Sequence, residues 1–312
     1  MQAEHYNGLI AVWKEQGYTS HDVVAKLRGI LHQKKIGHTG TLDPQAQGVL
    51  AVGLGLGTKT FDLLPDHWKT YEAEVTFGVQ TDTEDIWGNI LKTHDVSKTP
   101  EEIIQAICSF VGTYDQIPPM YSAKKIDGKK LYQLAREGKI VERKAVPVTL
   151  KDIQVLSVKD NKARFIVTCS AGTYIRTLCV DIGKKLGCEA CMSSLTRVMA
   201  GGFSKEQALT LEKIKELADK NELESRLISI DTALGHFPKV IASNEFEKQL
   251  KNGNAIGSNA VLGLQEASID VCSHDICVRL YLNNNGLDEF IGVYHLDKSS
   301  RLLKPVKIFY RN

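Results

Sequence analysis

The 312-residue sequence predicts an α+β fold: a large region with a mixed central sheet, followed by a small β-rich module. Two observations indicate this class. Strand and helix patterns are interspersed without the strict strand-helix-strand rhythm of a parallel α/β protein. A glycine- and proline-containing segment, 235–238, then breaks a charged helical stretch, and mainly short strands follow it. We therefore predict two domains, residues 1–235 and 236–312.

Strands in the large region are predicted where apolar residues alternate or form a short run between turn residues. The clearest case is 71–79, where Tyr71, Ala73, Val75 and Phe77 share one face. The predicted strands are 8–13, 71–79, 148–158 and 163–169, the last two joined by a turn.

Helices are predicted where apolar residues recur at helical spacing between a cap and a glycine. Ser20 is the predicted cap of the first helix, and 99–102 forms a capping box with proline at the first helical position. The first predicted helix follows its cap at Ser20. The other predicted helices cover 99–111, 131–137 and 173–186, and a charged helix-forming segment covers 210–228.

The C-terminal module carries weaker patterns. A short helix is predicted over 244–250, and strands over 276–282, 289–295 and 304–309. The spacing of these elements is typical of a small β-rich domain.

Bulk composition excludes several classes of protein. No apolar run approaches the roughly 20 residues that span a bilayer, and the N-terminus lacks a secretory signal, so we expect a cytoplasmic protein without a membrane contact. The seven cysteines are scattered and odd in number, which predicts reduced thiols. Cys188 and Cys191 have the spacing of a zinc pair but lack a matching second pair, so no metal site is expected.

Three glycine-containing motifs of nucleotide-binding proteins and hydrolases are absent from the sequence. Residues 53–60, Gly-Leu-Gly-Leu-Gly-Thr-Lys-Thr, follow an apolar run but match neither the Walker loop nor the dinucleotide fingerprint. No Gly-x-Ser-x-Gly occurs, so a serine hydrolase has no support.

A single aspartate, Asp43, stands in the glycine-punctuated segment 37–50. Pro44 fixes its own φ and keeps Asp43 out of the helical region, so the carboxylate is held on a stiff loop. Two interpretations follow from the residues alone. The loop either presents a nucleophile, or it is a turn in which the aspartate bonds its own backbone.

A basic segment covers residues 121–144, with eight lysine or arginine residues against three acidic ones, although the whole chain has a net charge of only +2. Such a run is either a solvated face or a nucleic-acid contact. Tyr121 and Tyr132 within it favour RNA, since aromatic rings beside cations offer stacking as well as phosphate contact. The candidate RNA-binding residues are Lys124, Lys125, Lys129 and Lys130.

Several segments, taken together and in order, resemble the TruB type of tRNA pseudouridine synthase, which isomerises uridine 55 in the TΨC loop. The resemblance covers most of residues 7–235. It rests on Asn7-Gly8, Thr19–Val24, Gly37–Pro44, Lys69–Tyr71, Thr81–Asp85, Pro118–Ala123, Gly128–Tyr132, Gly172–Thr177, Asp181–Gly183 and Leu195–Arg197.

The resemblance implies a role for particular residues. Asp43 would be the catalytic nucleophile and Arg176 its ion-pair partner. Tyr71 would stack on the flipped uracil and take the C5 proton, Tyr174 and Leu195 would line the base pocket, and His38 would occupy the space near the vacated base.

The resemblance further implies a pseudouridine synthase fold with a mixed, mostly antiparallel central sheet and a PUA-like C-terminal domain that grips the acceptor stem. The partner is tRNA, bound through its T stem-loop and acceptor stem by a monomer. The isomerisation needs no cofactor or metal. The chain departs from the family at Glu15, where a proline usually follows the lysine, and this change is expected to relax the strand end.

Two other functions stay open at this point. The chain could be a tRNA-binding or tRNA-folding module without essential catalysis, although such a protein has no reason to keep Asp43, Tyr71 and Arg176 together. It could also be the catalytic subunit of a guide-RNA pseudouridylation particle, against which the lack of long basic tails argues.

Overall fold

The structure is a computed structural model, and it describes residues 6–64, 68–122, 124–126, 128–139, 141–264, 276–284 and 286–310. Among these residues, none of the helices is long and apolar enough to cross a membrane.

The elements follow the predicted mixture of strands and short helices. The strands are β1 (Gly8–Lys14), β2 (Ile36–Thr39), β3 (Gln47–Leu54), β4 (Lys69–Phe77), β5 (Val79–Thr81), β6 (Ile90–Thr93), β7 (Gly112–Gln116), β8 (Lys125–Ile126), β9 (Lys129–Lys130), β10 (Val146–Lys159), β11 (Lys162–Cys169), β12 (Ala190–Ala200), β13 (Phe203–Ser204), β14 (Lys239–Ala242), β15 (Ile256–Gly257), β16 (Val261–Leu262), β17 (Ile276–Asn284), β18 (Leu287–Asp297) and β19 (Leu302–Ile308). The α-helices are α1 (Ser20–Leu31), α2 (Pro100–Cys108), α3 (Leu131–Arg136), α4 (Ile175–Leu186), α5 (Leu211–Asp219), α6 (Ile230–Ala233) and α7 (Glu247–Lys251).

A mixed sheet forms the centre of the molecule, in the order β1-β3-β12-β4-β11-β10-β7, with β2 beside β3 and β13 beside β12. The β3–β12 pair is parallel, and the other pairs are antiparallel. The prediction of a mixed, mostly antiparallel sheet is therefore confirmed. In β4 the alternation works as expected, since Tyr71, Ala73, Val75 and Phe77 are all buried.

The first helix begins one residue earlier than the sequence predicts. Thr19, not Ser20, is the N-cap: its hydroxyl accepts from the Asp22 amide, and the Asp22 carboxylate accepts from the Thr19 amide. Ser20 is the first helical residue, and its buried hydroxyl accepts instead from the amide of Leu42 at 3.0 Å. Ser20, the predicted cap, thus bonds to the loop that contains Leu42 rather than capping its own helix.

Other helix boundaries shift modestly. The capping box at Thr99 opens α2 as predicted, but the helix ends at Cys108 and not near 111. Helix α4 starts at Ile175 and ends before Gly187, which adopts the left-handed conformation that glycine favours. The segment 210–228 divides into α5 and a short 3-10 turn at Leu223–Arg226.

Two apolar layers cover the central sheet. Helices α2 and α4 pack with β4, β10, β11 and β12, where Phe77 and Phe165 are fully buried. Helices α1 and α5 pack with β1 and β3. Burying each such large side chain contributes about 2–3 kcal/mol before the entropy of ordering is subtracted, so the sheet is a rigid support for the loops at its edge.

A second, six-stranded sheet carries the C-terminal module in the order β15-β19-β18-β17-β14-β16. The chain reaches it through the helical segment between Ser204 and Lys239. A shared apolar cluster joins the two sheets, with Leu9 and Ala51 on one side and Val293 and Phe309 on the other. The predicted β-rich character of the C-terminal module is confirmed.

The glycine-rich segment after β3 serves backbone packing. Gly55–Lys59 forms a 3-10 turn. A Cβ placed on Gly57 would lie 2.0 Å from the Gly8 carbonyl oxygen, so only glycine allows the two chains to approach.

Candidate active site

The Asp43 loop, residues 40–46, connects β2 to β3 at the edge of the central sheet. It contains a main-chain turn, in which the Ala46 amide donates to the Asp43 carbonyl at 3.1 Å, and not a turn made by the aspartate side chain. The carboxylate is not used for this turn and accepts hydrogen bonds from Arg176 instead. The turn therefore holds the acid out from the loop.

Two buried cations lie beneath the loop. The Lys14 ammonium donates to the carbonyls of Glu15, Tyr18 and Pro44 at 3.0, 2.6 and 3.1 Å. Burial lowers the Lys14 pKa to about 8. These bonds also fix the end of β1 beside Glu15.

Arg197 holds the other side of the loop from the middle of β12. Its fully buried guanidinium donates to the carbonyls of Val49 at 2.8 Å and Gly40 at 3.0 Å. Gly40 has a φ of +78°, and Gly48 has a φ of +119° and packs against the Arg197 backbone, so larger residues do not fit at either point. The loop is therefore fixed at both ends by charged hydrogen bonds to its backbone.

Arg176 forms a two-pronged contact with Asp43. Its Nε lies 2.8 Å from Oδ2, and its Nη2 lies 3.3 Å from Oδ1. The Arg176 side chain is 5% exposed, whereas that of Asp43 is 38% exposed. The arginine side chain is thus buried within the protein, whereas the Asp43 carboxylate faces solvent.

Three further groups orient Arg176. The carbonyls of Thr83 and Tyr121 accept from its Nη1 and Nη2 at 3.0 and 2.7 Å. Asp85 lies 3.9 Å from Nη1 and itself accepts from the Thr83 hydroxyl at 2.7 Å. Burial raises the pKa of Asp85. Two acids therefore face one guanidinium, and Asp43 is the more exposed of them.

A cleft of about 730 Å³ opens over this pair. It brings together five of the residues that the sequence nominates, Asp43, Tyr71, Tyr174, Arg176 and Leu195. Tyr71 is buried at the cleft, and burial raises its pKa, so the phenol keeps its proton at neutral pH.

His38 is not among the residues that line the cleft. It lies on β2, where its ring meets the edge of His21 with 5.7 Å between centroids, and His21 does line the cleft. Burial lowers the His38 pKa to about 4, so the imidazole is neutral near pH 7.

Three of the nominated lysines, Lys125, Lys129 and Lys130, lie on a small hairpin of β8 and β9, and Lys124 directly precedes it. Tyr121 and Ser122, which line the cleft, lead directly into it. Lys124 is half-buried and Lys129 is exposed, while the side chains of Lys125 and Lys130 lie outside the described part of the structure.

Sequence reasoning did not predict the contacts that fix the site, which are made by Lys14, Ser20, Asp85, Tyr121 and Arg197. One signal was available. Lys14 ends an apolar strand, and Arg197 lies among apolar residues of β12, and a buried cation in such a place needs partners.

The cysteine residues show the predicted scatter. Cys108, Cys169, Cys179, Cys188 and Cys191 are free thiols, and Cys272 lies outside the described residues. Within the described ranges, no group of three potential metal-ligating side chains comes together.

Comparison with known proteins places the chain among RNA-modifying enzymes. Residues 28–175 match the model of the TruB family pseudouridylate synthase N-terminal domain, and residues 176–235 match that of the tRNA pseudouridylate synthase B C-terminal domain. The chain is 43% identical over 307 residues to tRNA pseudouridine synthase B of Alkaliphilus oremlandii, with 97% of this chain and 99% of the relative covered. It is 46% identical over 315 residues to the protein of that name from Staphylococcus aureus strain Newman, with the same coverage of each chain.

Two solved structures share the fold. A chain of a Cbf5-Nop10-Gar1 complex aligns with a TM-score of 0.70 at 24% identity, covering 97% of this chain and 85% of that one. A chain of an H/ACA RNP bound to a substrate RNA containing 2'-deoxyuridine aligns with a TM-score of 0.68 at 24% identity and the same coverage. At this identity the likeness concerns the α+β fold alone, and that prediction is confirmed.

Proposed function

The chain belongs to the TruB family of pseudouridylate synthases, and from this membership and the cleft we propose that it isomerises uridine 55 in the TΨC loop of tRNA to pseudouridine. The observation that carries the proposal is the Asp43–Arg176 pair, with Nε to Oδ2 at 2.8 Å, in a cleft floored by Tyr71. The arrangement supplies one oriented carboxylate and an aromatic face, which suit a flipped base.

In the proposed reaction, the uridine leaves its stack and its base enters the cleft. The glycosidic C1′–N1 bond breaks, the uracil rotates, and C5 bonds to C1′. C5 then loses its proton while N1 gains one, so the product is an isomer of the substrate. Asp43 acts as the nucleophile at C1′ or C6, or assists a glycal route, and Arg176 orients it through two charged hydrogen bonds.

Tyr71 is best suited to stacking on the uracil. Its raised pKa favours the neutral phenol, which accepts a proton only as it gives up its own. Removal of the C5 proton by Tyr71 therefore requires a simultaneous proton release. Tyr174 and Leu195 complete the apolar walls of the pocket.

The experiment that tests this proposal is pseudouridine mapping at nucleotide resolution on unmodified tRNA transcript. Wild type is expected to convert uridine 55 and Asp43→Asn to leave it unchanged. Asp231→Asn is the matched control, since Asp231 also pairs with an arginine but lies elsewhere, and it is expected to stay active. Pseudouridine formed by Asp43→Asn would remove the assignment of Asp43.

The same assay separates the alternative functions. A binding or folding module would bind the transcript and leave all uridines intact. A guide-RNA subunit would need added RNA and protein components, whereas the proposal expects conversion by this chain alone.

For the C-terminal module, we propose a PUA-like role in holding the acceptor stem, with the domain boundary near residue 235. The support is its separate six-stranded sheet, which packs on the catalytic sheet through a shared apolar cluster. Full-length tRNA is expected to bind more tightly than an isolated T stem-loop. Equal affinity for the two RNAs would exclude an acceptor-stem contact.

A further inference from the structure

An exposed tryptophan stands at the rim of the cleft. Trp87 lies in the turn between β5 and β6, lines the cleft, and is 42% exposed. Leaving a large aromatic side chain in water is unfavourable by about 25 cal/mol for each Å² of apolar surface, so an exposed aromatic beside a binding site indicates a contact that forms on binding.

The turn that carries Trp87 is held by several hydrogen bonds. The Asp82 carboxylate accepts from the Asn89 amide and side chain at 2.8 and 2.9 Å. Asp85 accepts from the Trp87 amide at 3.2 Å and from the Thr83 hydroxyl at 2.7 Å. The main chain of residues 84–86 also bonds to Met192 of β12. The turn therefore presents the indole on a rigid base.

The same turn connects to the reacting end of the cleft. Asp85, two residues before Trp87, lies 3.9 Å from the Arg176 guanidinium that binds Asp43. Trp87 lines the same cleft as Asp43, so a base that reaches Asp43 enters a cleft whose rim carries this indole.

Tyr71 and Trp87 differ in depth. Tyr71 is 7% exposed and suits a base that has entered the cleft fully, whereas the Trp87 ring is open at the rim. The bases next to the flipped uridine stay near the rim, and each has a face that can stack on an aromatic ring.

We propose that Trp87 is an RNA-binding residue that stacks on a nucleobase next to the flipped uridine and holds the opened loop at the cleft. This inference rests on the proposed function. Stacking of this kind needs no particular base, so Trp87 strengthens binding without reading sequence.

Binding is tested with the full chain in the Asp43→Asn background and a fluorescent T stem-loop RNA, so that the measurement does not depend on turnover. Trp87→Ala is expected to raise the Kd about 5- to 150-fold, the range that loss of one stacked base gives. Trp87→Phe is expected to recover most of the affinity because it keeps a ring. Leu91→Ala is the matched control, since Leu91 is 61% exposed on the same hairpin but does not line the cleft, and its Kd is expected to match the parent.

An abasic scan identifies the stacked base. Removing that base should abolish the difference between Trp87 and Trp87→Ala, while removing other loop bases should leave the difference intact. In the otherwise wild-type enzyme, Trp87→Ala should raise KM and change kcat less than threefold.

The outcomes separate the inference from the proposed function. Equal Kd for Trp87 and Trp87→Ala, with wild type still forming pseudouridine, overturns the inference alone. An equal loss of RNA affinity in Leu91→Ala would mean that the apolar hairpin as a whole, and not the Trp87 ring, supports RNA binding, and would also overturn the inference. Wild type that binds the RNA without converting it would overturn the proposed function instead.

Discussion

Two arginine–carboxylate pairs in this molecule are built alike but differ in their surroundings. Arg176 pairs with Asp43 at the cleft, and Arg279 pairs with Asp231 at 2.6 Å near the joint between the two sheets. Both arginines also donate to backbone carbonyls, Arg176 to Thr83 and Arg279 to Phe237. The two carboxylates are equally exposed, 38% for Asp43 and 39% for Asp231.

The difference lies in what surrounds each acid. Asp43 faces the 730 Å³ cleft, which Asp231 does not line. Asp231 also accepts from the Tyr281 hydroxyl, so one of its oxygens has two partners within the protein. The exposure of the carboxylate therefore does not distinguish the two ion pairs. The adjoining cavity, which Tyr71 also lines, distinguishes the Asp43 pair as the candidate reactive site.

The largest expected effect comes from changing the geometry of the cleft pair while keeping its charge. Arg176→Lys retains a cation but loses the planar fork that contacts both oxygens of Asp43, so kcat for pseudouridine formation should fall about 100-fold. Single-turnover assays on tRNA transcript measure this. Arg279→Lys makes the same change in the other pair, and its kcat should match that of wild type. A similar fall in kcat in Arg279→Lys would show that the two pairs do not differ in function.

The buried cation beneath the cleft pair should matter next. Lys14→Met leaves three carbonyls without their donor and should lower the free energy of unfolding by about 2 kcal/mol. Urea denaturation measures this. Loss of kcat beyond that expected from the unfolded fraction would show that the Pro44 contact also positions the Asp43 loop.

The Lys14 contribution should depend on pH. Its pKa is about 8 in the folded chain and about 10.5 when unperturbed, so between these values the unfolded chain binds more protons. The free energy of unfolding of wild type, relative to Lys14→Met, should therefore rise as the pH increases from 8 to 10.5. A flat difference over this range would contradict the burial of a charged ammonium.

The pair at the joint should affect stability alone. Arg279→Met removes the partner of Asp231 and Tyr281 and should lower the free energy of unfolding by about 1–2 kcal/mol, a value reduced because Asp231 is partly solvated. Thermal denaturation measures it, and the kcat of the folded protein should not change. A fall in the kcat of the folded variant would show that the Arg279–Asp231 pair also affects the cleft.

The smallest effect is expected from the lysine hairpin beside the cleft. Lys129→Ala with Lys130→Ala should weaken tRNA binding and reduce the slope of log Kd against log salt by about one unit for each lysine that contacts phosphate. Lys213→Ala with Lys215→Ala, whose side chains are exposed on helix α5, is the matched control and should keep the slope. An unchanged slope in the hairpin variant would remove β8 and β9 from the RNA interface.

The sequence predicted the fold well wherever local patterns decide it. The alternation in β4 and the capping box of α2 both led to observed elements. The pattern did not predict β12, a strand inside the sheet, because Ser193, Ser194 and Arg197 interrupt its apolar residues. Glu74 accepts from Ser193, and carbonyls of the Asp43 loop and β3 accept from Arg197, and local periodicity does not report such partners.

The site was predictable only in part, and for a related reason. Asp43, Tyr71 and Arg176 follow from the resemblance of their motifs, and the structure brings them to one cleft. The supports of the loop are different, since Lys14, Ser20 and Arg197 act through bonds to backbone groups. Main-chain carbonyl and amide groups occur whatever the side chain is, so the identity of a residue does not show that its main chain will be a partner of Lys14, Ser20 or Arg197.

The hydrogen bonds that hold the Asp43 loop join residues far apart in the sequence, so the site can be assembled only late in synthesis of the chain. Arg176 is 133 residues downstream of Asp43, and Arg197 is 157 residues downstream of Gly40. At the usual rate of translation, the loop leaves the ribosome on the order of ten seconds before its last arginine does. A nascent chain therefore carries the aspartate long before it is oriented, and the enzyme becomes competent only when most of its length has been made.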